Sequence, residues 1–165
     1  MQFTRALKHL FSARAVTRAR FPASLEQAIS AAVQQAEART SGEIRFAIET
    51  ALEIEDLWAG VEPRERALQV FSQLRVWDTE LRNGVLIYVL MADRDVEIVA
   101  DRGLGVRISP NEWEAACRLM ESHFREDRFR EGALAGVEAV GALLEREFPS
   151  GTCDRDELPN QPSLL

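Results

Sequence analysis

The chain has 165 residues, which is room for one domain with a single hydrophobic core. Hydrophobic residues make up 46% and charged residues 28%, a globular composition that excludes collagen-like and disulfide-scaffold proteins. The formal net charge is −7, yet residues 1–20 contain five basic residues and no acidic one. Because the remaining body is acidic and would repel a phosphate backbone, we expect no nucleic-acid partner.

The sequence shows no signal for a membrane span or for export. No apolar run approaches the ~20 residues that cross a bilayer. The first residues lack an uninterrupted apolar stretch followed by a small-residue cleavage site. We therefore expect a cytoplasmic protein.

The first 21 residues have the pattern of a basic amphipathic helix. Phe3, Leu7, Leu10 and Phe11 recur at helical spacing, with basic residues between them. Such a helix packs against its own domain or a partner chain, or it makes peripheral contact with an anionic membrane through residues 1–20. A third alternative is that this segment builds an oligomer, so the oligomeric state stays open.

A second helix and the first strand follow. Pro22 interrupts the first pattern, and Ser24 with Gln27 predicts a capping box that begins a helix running through Ala38. Residues 43–50 alternate between apolar and polar side chains, which predicts a strand with one buried face.

The centre of the chain predicts a helix and a β-hairpin. Pro63 is typical of a first helical turn, and this helix is predicted to end near Trp77. Residues 84–92 are apolar at nearly every position, as in a central strand that is buried on both faces. A polar turn at residues 93–95 returns the chain into an antiparallel strand over residues 96–100.

Two helices and a polar segment complete the chain. Ser109, Pro110 and Glu112 are an N-cap, a first-turn proline and a capping glutamate. A charged break at 127–128 precedes the last helix, which is predicted to stop at Pro149.

These elements predict an α/β protein, specifically a three-layer α/β/α sandwich with a small mixed sheet. The sheet has a parallel strand pair plus one antiparallel hairpin strand. The predicted organisation is an N-terminal helix over 1–21, the α/β/α domain over 22–149 and a disordered polar tail over 150–165.

Common catalytic signatures are absent from the sequence. There is no phosphate-binding G-x-x-x-x-G-K-[ST] and no G-x-S-x-G nucleophile motif. Two histidines, His9 and His123, are too few for a histidine metal cluster. Cys117 shares a helical face with Trp113 and Met120, so we predict a buried and unreactive thiol.

Polar residues gather where the predicted strands begin or end. Glu43, Asn83, Asp101 and Gly103 fall at one end of the sheet in this topology. Oxygen-bearing side chains beside a permissive glycine suit a hard cation or an anion pocket. The alternative is ordinary turn chemistry, because Asn-Gly and Asp-x-Gly are common turn formers.

Several spaced motifs resemble the TPM domain family, over about Ser24 to Phe148. They are Ser41-Gly42-Glu43-Ile44, Trp77, Asn83-Gly84-Val85-Leu86-Ile87, Glu97-Ile98-Val99 leading to Gly103-Leu104, and Phe129-Arg130-Glu131-Gly132. The resemblance implies an α/β/α sandwich of a soluble bacterial type. The family includes thylakoid-lumen proteins of photosystem repair with calcium binding and weak acid phosphatase activity, animal proteins that modulate receptors, and many bacterial proteins of unknown role.

The chain departs from the family pattern in three places. Asp101 stands where many members have glycine, Gly105 where they have glutamate, and Arg82 where they often have Asn or Asp. The resemblance therefore implies weak calcium binding at most. The guanidinium groups of Arg82 and Arg102 would instead favour an anion or an acidic segment of a partner protein.

The sequence leaves two functions open. The first is a non-catalytic accessory or binding module, with a role in the maintenance of membrane proteins, whose binding residues are Glu43, Asn83, Asp101, Arg102 and Gly103. The alternative, implied by the resemblance, is a weak metal-assisted acid phosphatase. Asp78 and Asp101 would then hold Ca²⁺, Asn83 would orient the phosphate and Arg102 would stabilise developing charge. No general base is evident beside them.

Overall fold

The computed structural model describes His9 and residues 14–105, 107–150 and 157–165. These residues form six helices and four strands. In chain order they are α1 Arg14–Arg20, α2 Ala23–Glu37, β1 Glu43–Glu49, α3 Ile54–Ala59, α4 Pro63–Gln73, β2 Gly84–Leu90, β3 Asp95–Ala100, α5 Pro110–Arg125, α6 Phe129–Glu147 and β4 Ser163–Leu164.

The strands form one mixed sheet in the order β3-β2-β1-β4. β1 and β2 run parallel, with Glu43 opposite Gly84, and β3 returns antiparallel beside β2 with Ala100 opposite Val85. The predicted parallel pair with an antiparallel hairpin strand is therefore confirmed. β2 is buried at all seven positions, which is the reason for its continuous apolar sequence.

Helices cover both faces of the sheet and create two hydrophobic clusters. Alternate β2 residues Val85, Ile87 and Val89 join the larger cluster, with side chains of α2, α5 and α6. Leu86 and Tyr88 belong to the opposite cluster, with side chains of α4. Since side chains alternate across a strand, this division defines the three-layer α/β/α sandwich that the sequence predicts.

Helix boundaries differ from the predictions in three places. α2 begins at Ala23 with Pro22 at the N-cap, and its N-cap makes no side-chain hydrogen bond, so the predicted Ser24 capping box is wrong. α4 ends at Gln73, because the chain turns at Arg75 with a left-handed φ of 54°. The six-residue α3 lies in a stretch for which the sequence predicts no element.

The last residues also differ from the disordered tail that their composition predicts. Ser163 and Leu164 form β4, which pairs in parallel with Ala47 and Ile48 of β1. Leu158 is buried in the α4-side cluster. A two-residue strand has no periodicity to detect, so tertiary contacts alone define it.

The N-terminal region is described only in part. Arg14–Arg20 is helical, as predicted, whereas the predicted apolar face of Phe3, Leu7, Leu10 and Phe11 lies outside the described residues. His9 is buried and its Nδ1 accepts a hydrogen bond from the Leu52 amide at 2.9 Å. Its Nε2 lies 3.2 Å from Asp93 Oδ1, without hydrogen-bond geometry. None of the helices in the described ranges has the length and apolar character that a membrane span requires.

Candidate functional site

The polar residues singled out by sequence meet where β1 and β2 begin and β3 ends. The Glu43 amide donates to the Asn83 carbonyl at 3.3 Å, and the Asp101 amide donates to the Gly84 carbonyl at 2.9 Å. The Gly103 amide donates to the Arg82 carbonyl at 3.0 Å. The structure thus brings Glu43, Asn83, Asp101 and Gly103 to one edge, and their role in binding stays a prediction.

Two glycines, Gly84 and Gly103, allow close backbone contacts between the loops at this edge of the sheet. A Cβ atom at Gly103 would lie 2.5 Å from the carbonyl oxygen of Arg82. A Cβ atom at Gly84 would lie 2.1 Å from the carbonyl oxygen of Val76. Contacts this short are repulsive, so any larger residue would push the two loops apart.

The loop after α4 and the loop after β3 enclose a cleft of about 430 Å³. Leu81, in the loop after α4, is 57% exposed, and Trp77 in the cleft wall is 46% exposed. We call this space the strand-end cleft. Its lining residues are Trp77, Asp78, Thr79, Glu80, Arg82, Asp101 and Arg102.

Two buried oxygen atoms at this edge lack hydrogen-bond partners within the described residues. Asp101 Oδ1 accepts the Arg102 amide at 2.6 Å, but Asp101 Oδ2 has no partner. The side-chain nitrogen of Asn83 donates to the Ser41 carbonyl, which leaves Asn83 Oδ1 without one. An unsatisfied buried polar atom costs about 1–3 kcal/mol, so both atoms can gain from a ligand or from water.

The other predicted acidic residues are engaged elsewhere. Asp78 lines the strand-end cleft but is exposed, and its carboxylate lies 3.3 Å from the Arg75 guanidinium. Glu43 is buried, is not among the residues that line the cleft, and accepts a hydrogen bond from the Leu158 amide at 3.1 Å. The predicted pairing of Asp78 with Asp101 around one ion therefore competes with the Arg75 contact.

The donor set is small for calcium. Ca²⁺ takes six to eight oxygen ligands, and usually several carboxylates. Over the residues that the structure describes, no group of three or more His, Cys, Asp or Glu side chains is placed to hold a metal ion. The side chains at the cleft therefore do not fit a resident calcium ion, and calcium binding by this chain stays a prediction.

Arg82 and Arg102 present free guanidinium groups to the cleft. Both side chains are exposed, and neither has a carboxylate within 4 Å in the described part of the chain. Arg82 also has a left-handed φ of 53°, a conformation that L-residues other than Asn and Asp seldom adopt. By contrast, each of ten other arginines has a described carboxylate within 4 Å.

Sequence reasoning missed part of the cleft wall. Trp77 was predicted only as a helix end, and Thr79 was not singled out, although its hydroxyl oxygen accepts the Asn83 amide at 3.2 Å. A tryptophan in a sequence usually indicates core, so its exposure here depends on α4 ending early. The available signal was Asp78, a turn-forming residue directly after Trp77.

A buried polar cluster at the opposite end of the sheet was also missed. Tyr88 donates its hydroxyl to Glu49 Oε2 at 2.6 Å, and Arg66 binds both oxygens of Glu49 at 2.9–3.2 Å. Burial raises the pKa of Tyr88 well above its usual range, and the Glu49 contact adds to this. The cluster joins α4 to β1 and β2. The signal for it was one hydroxyl inside the otherwise apolar β2.

The fold and the cleft together define a three-layer α/β/α domain with a polar site where its parallel strands begin. The family model described as TPM domain matches residues 18–143, and the chain belongs to this family. None of the curated proteins matches the chain.

Solved structures support the same fold. The BA42 protein from the psychrophilic bacterium Bizionia argentinensis is 36% identical, with a TM-score of 0.76 over 87% of this chain and 94% of that one. The N-terminal domain of the cg2496 protein from Corynebacterium glutamicum is 18% identical, with a TM-score of 0.56 over 79% of this chain and 77% of that one. The N-terminal domain of a P. gingivalis protein is 22% identical, with a TM-score of 0.56 over 76% and 77%.

Proposed function

We propose that this TPM domain is a non-catalytic binding module whose strand-end cleft takes a segment of a partner protein. The segment presents a carboxylate beside an apolar side chain. The observation that carries the proposal is a pair of guanidinium groups, Arg82 and Arg102, that have no carboxylate partner among the described residues and lie in a cleft walled by the exposed Trp77.

The chemistry of these side chains suits a peptide ligand. A guanidinium group binds a carboxylate through two parallel hydrogen bonds, and tryptophan and arginine are enriched among the residues that dominate protein interfaces. A cleft of about 430 Å³ has room for a few side chains.

Magnitudes indicate weak binding. Each exposed ion pair contributes about 0.2–1 kcal/mol and is screened by salt, so two of them alone give little affinity. Full burial of an apolar side chain contributes about 1.5–3 kcal/mol, and the partial burial that the half-exposed Trp77 offers contributes less. The net charge of −7 and the nearby Glu80 oppose an acidic ligand. We therefore expect a micromolar to millimolar, salt-sensitive interaction.

A peptide that alternates aspartate with leucine tests the proposal. The Arg82→Ala/Arg102→Ala double variant should bind it about two- to thirtyfold more weakly than the wild type, because both ion pairs are lost. Arg118→Ala/Arg125→Ala is the matched control, since it removes two exposed arginines from α5 and changes the net charge equally. A peptide with asparagine for aspartate should bind the wild type and the double variant equally. Equal binding of the acidic peptide to all three proteins would refute the proposal.

The alternative function is a weak metal-assisted acid phosphatase. Asp101 Oδ2 and Asn83 Oδ1, which have no hydrogen-bond partner among the described residues, favour it, because carboxylate and amide oxygens are ligands of hard cations. Hydrolysis of p-nitrophenyl phosphate by the wild type, abolished in Asp101→Asn, would establish this function and overturn the non-catalytic proposal. We expect no hydrolysis above that of a buffer control.

A cytoplasmic role in the maintenance of membrane proteins extends the proposal. The basic composition of residues 1–20 supports peripheral contact with an anionic membrane. Full-length protein should float with vesicles that contain 30% phosphatidylserine, and Arg5→Glu/Lys8→Glu should reduce this fraction severalfold. Flotation that does not change in the charge-reversed variant would dismiss the membrane contact.

A further inference from the structure

Residues 157–165, which we call the tail segment, lie along the outer edge of β1. Ser163 and Leu164 pair in parallel with Ala47 and Ile48, and the Leu165 amide donates to the Ile48 carbonyl at 2.8 Å. β2 occupies the other edge of β1 along its whole length. The tail segment is therefore an added strand that completes the sheet on this side.

Arg45 of β1 holds the backbone of the tail segment. Its guanidinium group donates to the carbonyl oxygens of Pro159 and Gln161, the latter at 2.8 Å, and to the Ser163 hydroxyl oxygen at 2.5 Å. Arg45 has no carboxylate within 4 Å among the described residues, so its charge faces main-chain oxygen atoms. The two carbonyl contacts bind an extended backbone with little regard to its side chains, whereas the third contact involves the side chain of Ser163.

Leucine side chains supply the apolar anchors. Leu158 is 6% exposed and belongs to the cluster beneath α4, and Leu165 packs against the same cluster. The Leu158 amide also donates to the buried carboxylate of Glu43. From Leu158 onward the segment carries no ionisable side chain. The edge thus accommodates an uncharged, extended peptide with a leucine at each end.

We propose that the edge of β1 is a peptide-binding groove, which the tail segment fills in cis and which takes an extended, uncharged, leucine-containing segment of a partner protein by strand addition. The groove consists of the β1 edge that pairs with the tail segment, the Arg45 guanidinium, the Glu43 carboxylate and the pocket that holds Leu158. Main-chain hydrogen bonds give affinity in strand addition, and side-chain pockets give specificity. This proposal does not involve Arg82 or Arg102. The tail segment contacts a lining residue of the strand-end cleft through Glu157, whose carboxylate accepts the Glu80 amide at 3.2 Å, so a probe that begins at Leu158 tests the groove separately.

The tail segment should weaken the apparent affinity of the groove for a partner peptide, and the size of this effect can be estimated. Six residues, 151–156, separate the tail segment from the residues before it, and a short linker gives an effective concentration on the order of 1 mM. If the tail segment and a free peptide of the same sequence each bind the empty groove with a Kd of about 0.1 mM, the tail segment weakens binding of that peptide to the wild type about tenfold.

A labelled peptide with the uncharged sequence of residues 158–165, amidated at its end, tests the groove by fluorescence anisotropy on full-length proteins. Leu158→Ala weakens the tail segment and leaves the groove residues in place, so it should bind the peptide about tenfold more tightly than the wild type. Leu165→Asp weakens the other end of the segment and should give the same result, which guards against a folding defect specific to Leu158→Ala.

Adding Arg45→Gln to either tail variant should weaken peptide binding at least tenfold, because the guanidinium contacts to the backbone are lost. A control peptide with aspartate in place of its first leucine should bind poorly to every protein. Binding that is equal in the wild type and both tail variants, that survives Arg45→Gln, or that is absent at 1 mM peptide would overturn the proposal.

Discussion

Arg82 combines a strained backbone with a free charge. Its φ of 53° is left-handed, a conformation that costs an L-residue about 1–2 kcal/mol and that asparagine tolerates better. A residue under strain beside a cleft is typical of a position kept for binding rather than for stability. An Asn or Asp side chain at position 82 would relieve the strain and remove the positive charge.

We therefore predict that Arg82→Asn is more stable than the wild type by about 1 kcal/mol. Arg82→Ala is the matched control, because it removes the same guanidinium group but has no side-chain amide to hydrogen-bond the local backbone in the left-handed conformation. Urea denaturation of the three proteins measures the difference. An equal gain in both variants would show that the charge, and not the backbone, limits stability at this position.

Cys117 is buried on α5, and burial raises the pKa of its thiol to about 12. The thiol should therefore not react with Ellman's reagent at pH 8 in the folded protein. A Cys153→Ser background isolates Cys117, and one equivalent should react once urea unfolds the chain. Rapid reaction without urea would contradict the predicted burial of the thiol.

The helices and strands that the sequence predicts are the ones with long periodic patterns. β1, β2 and β3 alternate or run continuously apolar, and α5 has the predicted Ser109–Glu112 capping box: the Ser109 amide donates to Glu112 at 2.9 Å. The six-residue α3 and the two-residue β4 have no pattern long enough to detect, because packing on the rest of the fold creates them. The early end of α4 was missed for a related reason, since residues 74–77 continue a helix-like composition.

The capping box makes a prediction about acid. Hydrogen bonds from the Ser109 backbone amide and hydroxyl, together with Arg146, lower the pKa of Glu112 to about 2. A lowered pKa stabilises the fold above the ordinary value of 4.5, and this contribution disappears as the pH falls through about 2. Glu112→Gln should thus melt below the wild type at pH 5, and thermal melts at pH 2 should show little difference. A gap of constant size across this range would contradict the assignment.

At the scale of the whole molecule, the sheet topology determines what lies at the strand-end cleft. Parallel β1 and β2 with a returning β3 place Asn83 and Asp101 at one edge, and this follows from the sequence. The hydrogen-bond and ion-pair partners of the individual carboxylates do not follow from the sequence. Glu43 is bound by the distant Leu158 amide and Asp78 by Arg75, contacts that depend on the finished fold.

The small donor set at the cleft predicts a weak response to calcium. A site with a Kd of 1 mM would stabilise the domain by about 1 kcal/mol at 5 mM calcium, or about 2–4 °C in Tm for a domain of this size. We expect a shift below about 1 °C, with magnesium as the matched control. A calcium-specific shift of several degrees that Asp101→Asn removes would contradict this expectation.

The central claim is that Arg82 and Arg102 make the strand-end cleft a binding site for an acidic segment with an apolar side chain. The most direct measurement is a titration of ¹⁵N-labelled protein with the aspartate–leucine peptide, followed by amide chemical shifts. We expect shifts confined to residues 77–83 and 101–103 that diminish in 0.5 M salt. Shifts centred on another surface, or no shifts at 5 mM peptide, would contradict it.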